Sequence, residues 1–186
     1  MTATIPTRLF SVDEYHRMAD VGILHPEERV ELIDGIIIPM AAKNPPHSAT
    51  TKCASSYFVD ILEGLADVRV QEPIHLNDRS EPEPDIALVR THPRDYIDHH
   101  PTPEEVFLLI EVADSTLKFD TEVKNLVYAR AAITEYWVLD VNEQQVFIFR
   151  SPSSKGYQDE TTLNINAIAS LVAFPNIGVA INRLFP

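Results

Sequence analysis

Two carboxylates stand in this chain where a buried strand has no structural use for them. Asp85 opens the run Pro84-Asp85-Ile86-Ala87-Leu88-Val89, and Glu111 nearly closes the run Val106-Phe107-Leu108-Leu109-Ile110-Glu111-Val112. Both runs are short and apolar, as strands buried on both faces are. Burying an unpaired charge costs several kcal/mol or more, so each acid asks for a partner. Glu111 is the most anomalous charge in the sequence, because its run is almost continuously apolar. A helical run follows, carrying Asp120 and Lys124. Acids at two strand ends and a lysine on the next helix suggest metal-assisted hydrolysis. Asp120 and Lys124 are four apart and share a helix face; as a plain surface ion pair they are worth at most ~0.5 kcal/mol.

The elements around these residues can be read in order. Ser11-Val12-Asp13-Glu14 has capping-box spacing and starts a short helix through about Met18. Asp34-Gly35 between Arg29–Ile33 and Ile36–Met40 signals a hairpin. Alternation puts Glu31 opposite Val30 and Leu32, either on a solvated face or as a third acid aimed at the site; the period favours the solvated face. Pro45 and Pro46 read as a loop that stops the strand, with His47 in it as a possible auxiliary group. Ser48 is the expected cap of a helix to about Leu65, with an apolar stripe at Ala54, Tyr57, Phe58, Ile61, Leu62 and Leu65. Short strands are expected at Val68–Gln71 and Ile74–Leu76, then at Asp85–Val89 and Val106–Val112. Between the last two lies an irregular loop, Thr91–Pro103. Its adjacent His99 and His100 would point apart in an extended chain, which argues against zinc there. A helix from about Lys118 to Ala132 precedes strands at Glu135–Asp140, Gln145–Arg150 and Tyr157–Leu163. Tyr136 and Trp137 alternate faces and suit a core or a dimer contact better than base stacking.

Composition sets the limits. At 186 residues the chain fits one domain, 1–186, with a real core. No apolar run approaches the ~20 residues that span a bilayer. The start, Met1 to Arg8, has no basic region leading into a long apolar core, and the single Cys53 supplies neither an intramolecular disulfide nor a zinc cluster. A cytoplasmic protein is expected. No glycine-rich phosphate loop, Gly-x-Ser-x-Gly elbow or Cys-x-x-Cys occurs. The net charge of −13 argues against high affinity for a polyanion. Lys43, Lys52, Arg90, Arg94, Lys118 and Arg130 could form a local phosphate groove, but they are not clustered in sequence.

The order helix, strand, strand with Pro84-Asp85, strand with Glu111, helix, strand resembles the core of the PD-(D/E)XK nuclease superfamily. More closely, the chain from about Arg8 to Leu184 is similar to the Uma-two family of restriction-endonuclease-like proteins. The likeness rests on Glu31-Leu32-Ile33-Asp34-Gly35, Pro45-Pro46-His47, Pro84-Asp85, Glu111-Val112-Ala113-Asp114-Ser115-Thr116, Asp120, Lys124 and Glu135-Tyr136-Trp137-Val138-Leu139-Asp140. It implies an α/β fold with a restriction-endonuclease-like core: a central mixed β-sheet flanked by helices, with an N-terminal β-hairpin. It also implies a Mg²⁺-dependent (or Mn²⁺-dependent) endonuclease acting on DNA, and a homodimer is expected. Asp85, Glu111 and the Val112 carbonyl would ligate the metal, and Glu31 would complete the shell or hold a second ion. The superfamily lysine usually lies two residues after the acid, where this chain has Ala113. The resemblance offers Lys124 as the substitute, steered by Asp120. Ala113 and the acidic charge leave two other readings open: a catalytically inactive nuclease-fold binding or regulatory protein, and a metal-dependent hydrolase of small phosphoesters.

Overall fold

The computed structural model describes residues 7–25 and 27–186; most of the opening stretch Met1 to Arg8, where no leader is expected, lies outside them. Its frame is a six-stranded mixed sheet, β3 (Asp67–Val70), β4 (Ile86–Val89), β5 (Val106–Ala113), β6 (Glu135–Asp140), β7 (Gln145–Ser153) and β8 (Gly156–Asn164), in that spatial order. Only β5 and β6 run parallel; every other neighbouring pair is antiparallel. A parallel pair needs a crossover. Here a π-helical turn, Phe119–Lys124, runs straight into helix α3, Asn125–Arg130, and supplies it.

The two faces of the sheet carry separate cores. Helix α2 (Pro45–Leu62) lays Ala54, Phe58 and Leu62 on Ile86, Leu88, Leu108, Ile110 and Trp137. The Phe58 ring meets Trp137 edge-on at 6.2 Å, and truncating it to alanine should cost about 3–5 kcal/mol. On the other face Val127 and Tyr128 of α3 pack with Ala87, Val89, Leu109, Ala113, Tyr136 and Val138. Strand alternation then fixes the acids. Leu109 and Ala113 face α3, so Glu111 between them does too. Ile86 pairs with Ile110 and Ala87 with Leu109. One step further along that register, Asp85 comes level with Glu111 on the same face.

The hairpin stands apart as a two-stranded sheet, β1 (Val30–Ile33) with β2 (Ile36–Pro39). Its turn has positive φ at both Asp34 (48°) and Gly35 (77°), the geometry that matches strand twist. Gly35 is also required sterically, since a Cβ there would sit 2.7 Å from the Leu9 Cβ. Helix α1 (Val12–Asp20) begins with the expected capping box on Ser11. A second small sheet, β9 (Ile168–Ser170) with β10 (Gly178–Ala180), leads to the C-terminal residues Leu184 and Phe185, which join the α2 core.

Three expectations change. Helix α2 starts at Pro45, and its cap is Asn44, whose Oδ1 accepts from the His47 N–H at 3.0 Å, rather than Ser48. The two prolines open the helix because its first turn needs no N–H from them, and it ends at Leu62 with Glu63 left-handed. His47 therefore sits in the first helical turn, not in a loop. Ile74–Leu76 forms no ladder strand; it folds back on Ser80 and Pro82 through Leu76 N–H and Ile74 N–H. The stretch 118–132 is not a uniform α-helix, because its first part is the π turn.

Candidate active site

A cleft of about 270 Å³ opens where the hairpin, the start of α2, the strand ends and the π turn meet. Glu31, His47, Asp85, Glu111, Val112, Asp120 and Lys124 all line it. Every site residue expected from the sequence is thus brought to one place.

Lys124 is only 5% exposed, and its Nζ lies 2.9 Å from Glu111 Oε1 and 3.1 Å from Glu31 Oε1. The π turn, closed by the Asn125 N–H on the Asp120 carbonyl, carries that lysine into the cleft. Such turns are rare and recur at functional sites. Asp120 and Lys124 are therefore no surface pair. Asp120 is buried and held instead by the Thr116 hydroxyl at 2.6 Å. Glu31 does not lie on a solvated face either: it is 4% exposed, and its Oε2 accepts from the Glu83 N–H at 3.2 Å. Lys124 of the π turn and the Glu83 backbone cover that face of the hairpin, which the strand's own period could not reveal.

The Asp85 carboxylate is well held. Oδ2 accepts from the Val112 N–H at 2.9 Å and lies 3.1 Å from His47 Nε2, and Oδ1 accepts from Gln71 Nε2 at 3.0 Å. Burial pushes this carboxyl up, but the His47 hydrogen bond and charge, Gln71 and the Val112 N–H outweigh it and hold it below the usual aspartate value. Glu111 is different. Its Oε1 accepts from both Lys124 and the Tyr128 hydroxyl, the latter at 2.7 Å. Its Oε2 accepts from none of the described residues and is not sealed from solvent. Burial pushes the Glu111 carboxyl well above the usual range; Lys124 draws it down, while Asp120, Asp85 and Glu31 add to the rise. Burial also works against the Lys124 charge, yet Glu111, Glu31 and Asp120 prevail and hold the ammonium well above the usual lysine value. Asp120 is pushed up to about 6, by burial first and by Asp85 and Glu31 in part, against the pull of Lys124 and Thr116.

The donor set suits a hard divalent cation. Six carboxylates line the cleft against three lysine and arginine side chains, so the site carries surplus negative charge. Among the described residues no three His, Cys, Asp or Glu side chains stand close enough to hold one ion by themselves. Magnesium does not ask for three: it is commonly held by one or two carboxylates and keeps several waters. The open Oε2 of Glu111 and the remaining lone pair on Asp85 Oδ1 fit that habit.

Four groups are not evident from the sequence pattern: Arg29 and Glu83, which line the cleft, and Tyr128 and Gln71, which hold its acids from behind. Tyr128 carries a signal, since a tyrosine in a buried helical stripe must find a hydroxyl partner. Gln71, Glu83 and Arg29 carry none, because loop geometry alone brings them in. Of the cations expected for a phosphate groove, Lys43 lines the cleft beside Arg29. Arg90 and Arg130 border other depressions, and Arg94 pairs with Asp98. His99 is engaged with Asp98 and Glu105.

The family model described as "Putative restriction endonuclease", Uma2, matches residues 12–182. The chain belongs to the Uma2 family. Among solved structures it is similar to a "putative nuclease belonging to DUF820" from Anabaena variabilis, at 19% identity and a TM-score of 0.75, over 95% of this chain and 97% of that one. At that identity the likeness speaks for the fold, which is the restriction-endonuclease-like one anticipated from the Uma2 resemblance. No curated protein matches the chain. None of the described helices is long and apolar enough to cross a membrane.

Proposed function

We propose that this Uma2 member is a metal-dependent endonuclease that hydrolyses phosphodiester bonds in DNA. The observation that carries the reading is the convergence of Asp85, Glu111, Glu31 and Lys124 on one cleft, with a Glu111 oxygen left open. Asp85 and Glu111 would hold Mg²⁺ or Mn²⁺, with the Val112 carbonyl as a further oxygen. When bound, such an ion lowers the pKa of a coordinated water and polarises the phosphate. The rest falls to the chain. Lys124 has three N–H donors and spends two on Glu111 and Glu31; the third meets no acceptor among the described residues and would orient the attacking water or steady charge on a phosphoryl oxygen. Glu31 fixes the ammonium from the hairpin side. Arg29 and Lys43, at the mouth, are the cations available to neighbouring phosphates.

The test is cleavage of plasmid and single-stranded DNA with Mg²⁺ or Mn²⁺. Asp85→Ala and Glu111→Ala should each abolish it, and unchanged cleavage in both variants refutes the site. With a net charge of −13, activity should be greatest at low salt, where two or three basic contacts still suffice. The expected assembly is a homodimer, checked by light scattering.

A second reading has its own support. Ala113 stands where the superfamily lysine usually does, and the chain is acidic; both suit a nuclease fold retained for binding or regulation without catalysis. Calorimetric titration with Mn²⁺ separates the two, because an inactive descendant should take up no ion at these acids.

A further inference from the structure

Glu111 is held by two donors, and only one of them is charged. The other is Tyr128, which is fully buried and whose hydroxyl reaches the same Oε1 that Lys124 holds. Two donors use both lone pairs of that oxygen, so Oε2 is the one left facing the cleft. Lysine alone does not impose this choice. Its ammonium is a point charge with rotatable donors on a flexible stem, and it can serve either oxygen. The phenol is directional and its ring is fixed. It packs edge-on against Tyr136 at 4.9 Å, and Tyr136 stacks on Phe149 at 5.7 Å. Tyr128 also lies four residues after Lys124, so the stretch that delivers the lysine delivers the phenol to the same atom.

We propose that Tyr128 is a positioning residue for Glu111: by occupying Oε1 it turns Oε2 into the cleft as the oxygen offered to a divalent cation. This rests on the reading of the cleft as a cation centre. Groups that hydrogen-bond a ligating side chain commonly contribute about 10–100-fold to metal affinity, because they fix its orientation.

The experiment is calorimetric titration with Mn²⁺ of the wild-type chain, Tyr128→Phe and Tyr136→Phe, each first shown to melt cooperatively. Tyr136→Phe also removes a buried hydroxyl, one that donates to the Asp120 carbonyl at 3.1 Å and does not touch Glu111. Tyr128→Phe should bind Mn²⁺ about 10–100-fold more weakly, and Tyr136→Phe close to wild type. Wild-type affinity in Tyr128→Phe overturns the proposal and leaves the nuclease reading standing, as does equal weakening in both variants. A wild-type chain that takes up no Mn²⁺ overturns the nuclease reading and this proposal with it. Should Tyr128→Phe fail to fold, the Tyr128 hydroxyl proton can be followed by NMR in the wild-type chain. It should shift on addition of Mg²⁺, and an unmoved resonance overturns the proposal.

Discussion

Glu111 and Glu135 lie on adjacent strands of one sheet and both are buried, yet they are held in opposite ways. Glu135 is closed. Its Oε1 accepts from Trp137 Nε1 and twice from Arg150, at 2.9, 2.9 and 2.6 Å, and its Oε2 accepts from the Val172 N–H at 2.8 Å. An arginine balances its charge, and the backbone of the C-terminal segment is tied to it. Glu111 keeps one oxygen open, shares its lysine with Glu31, and faces Asp85 and Asp120. The first acid is saturated and serves the fold. The second is left short of positive charge, as expected of a group kept for a partner that comes and goes.

The sharpest way to break this contrast is to truncate the closed acid. Glu135→Ala strands the Arg150 charge and leaves the Trp137 and Val172 N–H groups without their acceptor. Glu135 is fully buried but the Arg150 side chain is 34% exposed and can turn part of its charge to water, so the cost is about 3 kcal/mol, the lower end of the range for a fully buried pair. Urea denaturation should show a loss of that size, while Mn²⁺ uptake by the folded fraction stays at the wild-type level. A loss well under about 1 kcal/mol, the scale of an exposed ion pair, would mean that Glu135 is no more structural than Glu111.

The next effect is read against pH. In the metal-free protein Asp120 keeps its proton up to about pH 6, against an ordinary value of 3.8. Between these values the folded state binds more protons than the unfolded one, so stability falls as pH rises from about 4 to about 6 and levels off above. A carboxyl that titrates about two pH units higher in the folded chain than in the unfolded one contributes about 3 kcal/mol to that fall. Asp120→Asn should flatten this part of the profile, as measured by urea midpoints across the range. An unchanged slope would place the surplus charge elsewhere in the cleft.

The sequence separates these two acids poorly, and the reason is physical. Both appear as a carboxylate in an apolar strand, and nothing local says which partners will arrive. Asp85, Glu111 and Lys124 are legible because motif order carries them, and strand alternation then accounts for the shared face. The hairpin, the capping box on Ser11 and the central strands are legible from local chemistry alone. Glu31 is not, because its burial comes from packing between the hairpin and the π turn, which no period of two reports. His47 and the start of α2 are easily misplaced because Pro45-Pro46 reads as a stop, although the same pair fits a helix start equally well. The π turn itself leaves no mark in the hydrophobic pattern, yet it is what carries the expected site lysine, Lys124, into the buried cleft.

The smallest expected effect decides most finely whether Glu111 is kept for stability or for a ligand. Glu111→Gln preserves shape and leaves an oxygen for Lys124 and Tyr128, while the amide nitrogen takes the open position toward the cleft. It removes a charge that Asp85, Asp120 and Glu31 oppose, and Lys124 keeps its contact with Glu31 at 3.1 Å. The lost charge on the lysine bond and the relieved repulsion act in opposite directions, each worth about 1–3 kcal/mol. The metal-free variant should therefore lie within about 1 kcal/mol of wild type, or above it, as is common when a site group is neutralised. Mn²⁺ uptake should be lost in the same protein. Glu135→Gln is the matched comparison, since it leaves Arg150 without a counter-charge and should be the less stable of the two by urea midpoint. If Glu111→Gln proves as destabilising as Glu135→Gln, the open oxygen is incidental, and Lys124, Tyr128 and Glu111 are a structural triad like the one around Glu135.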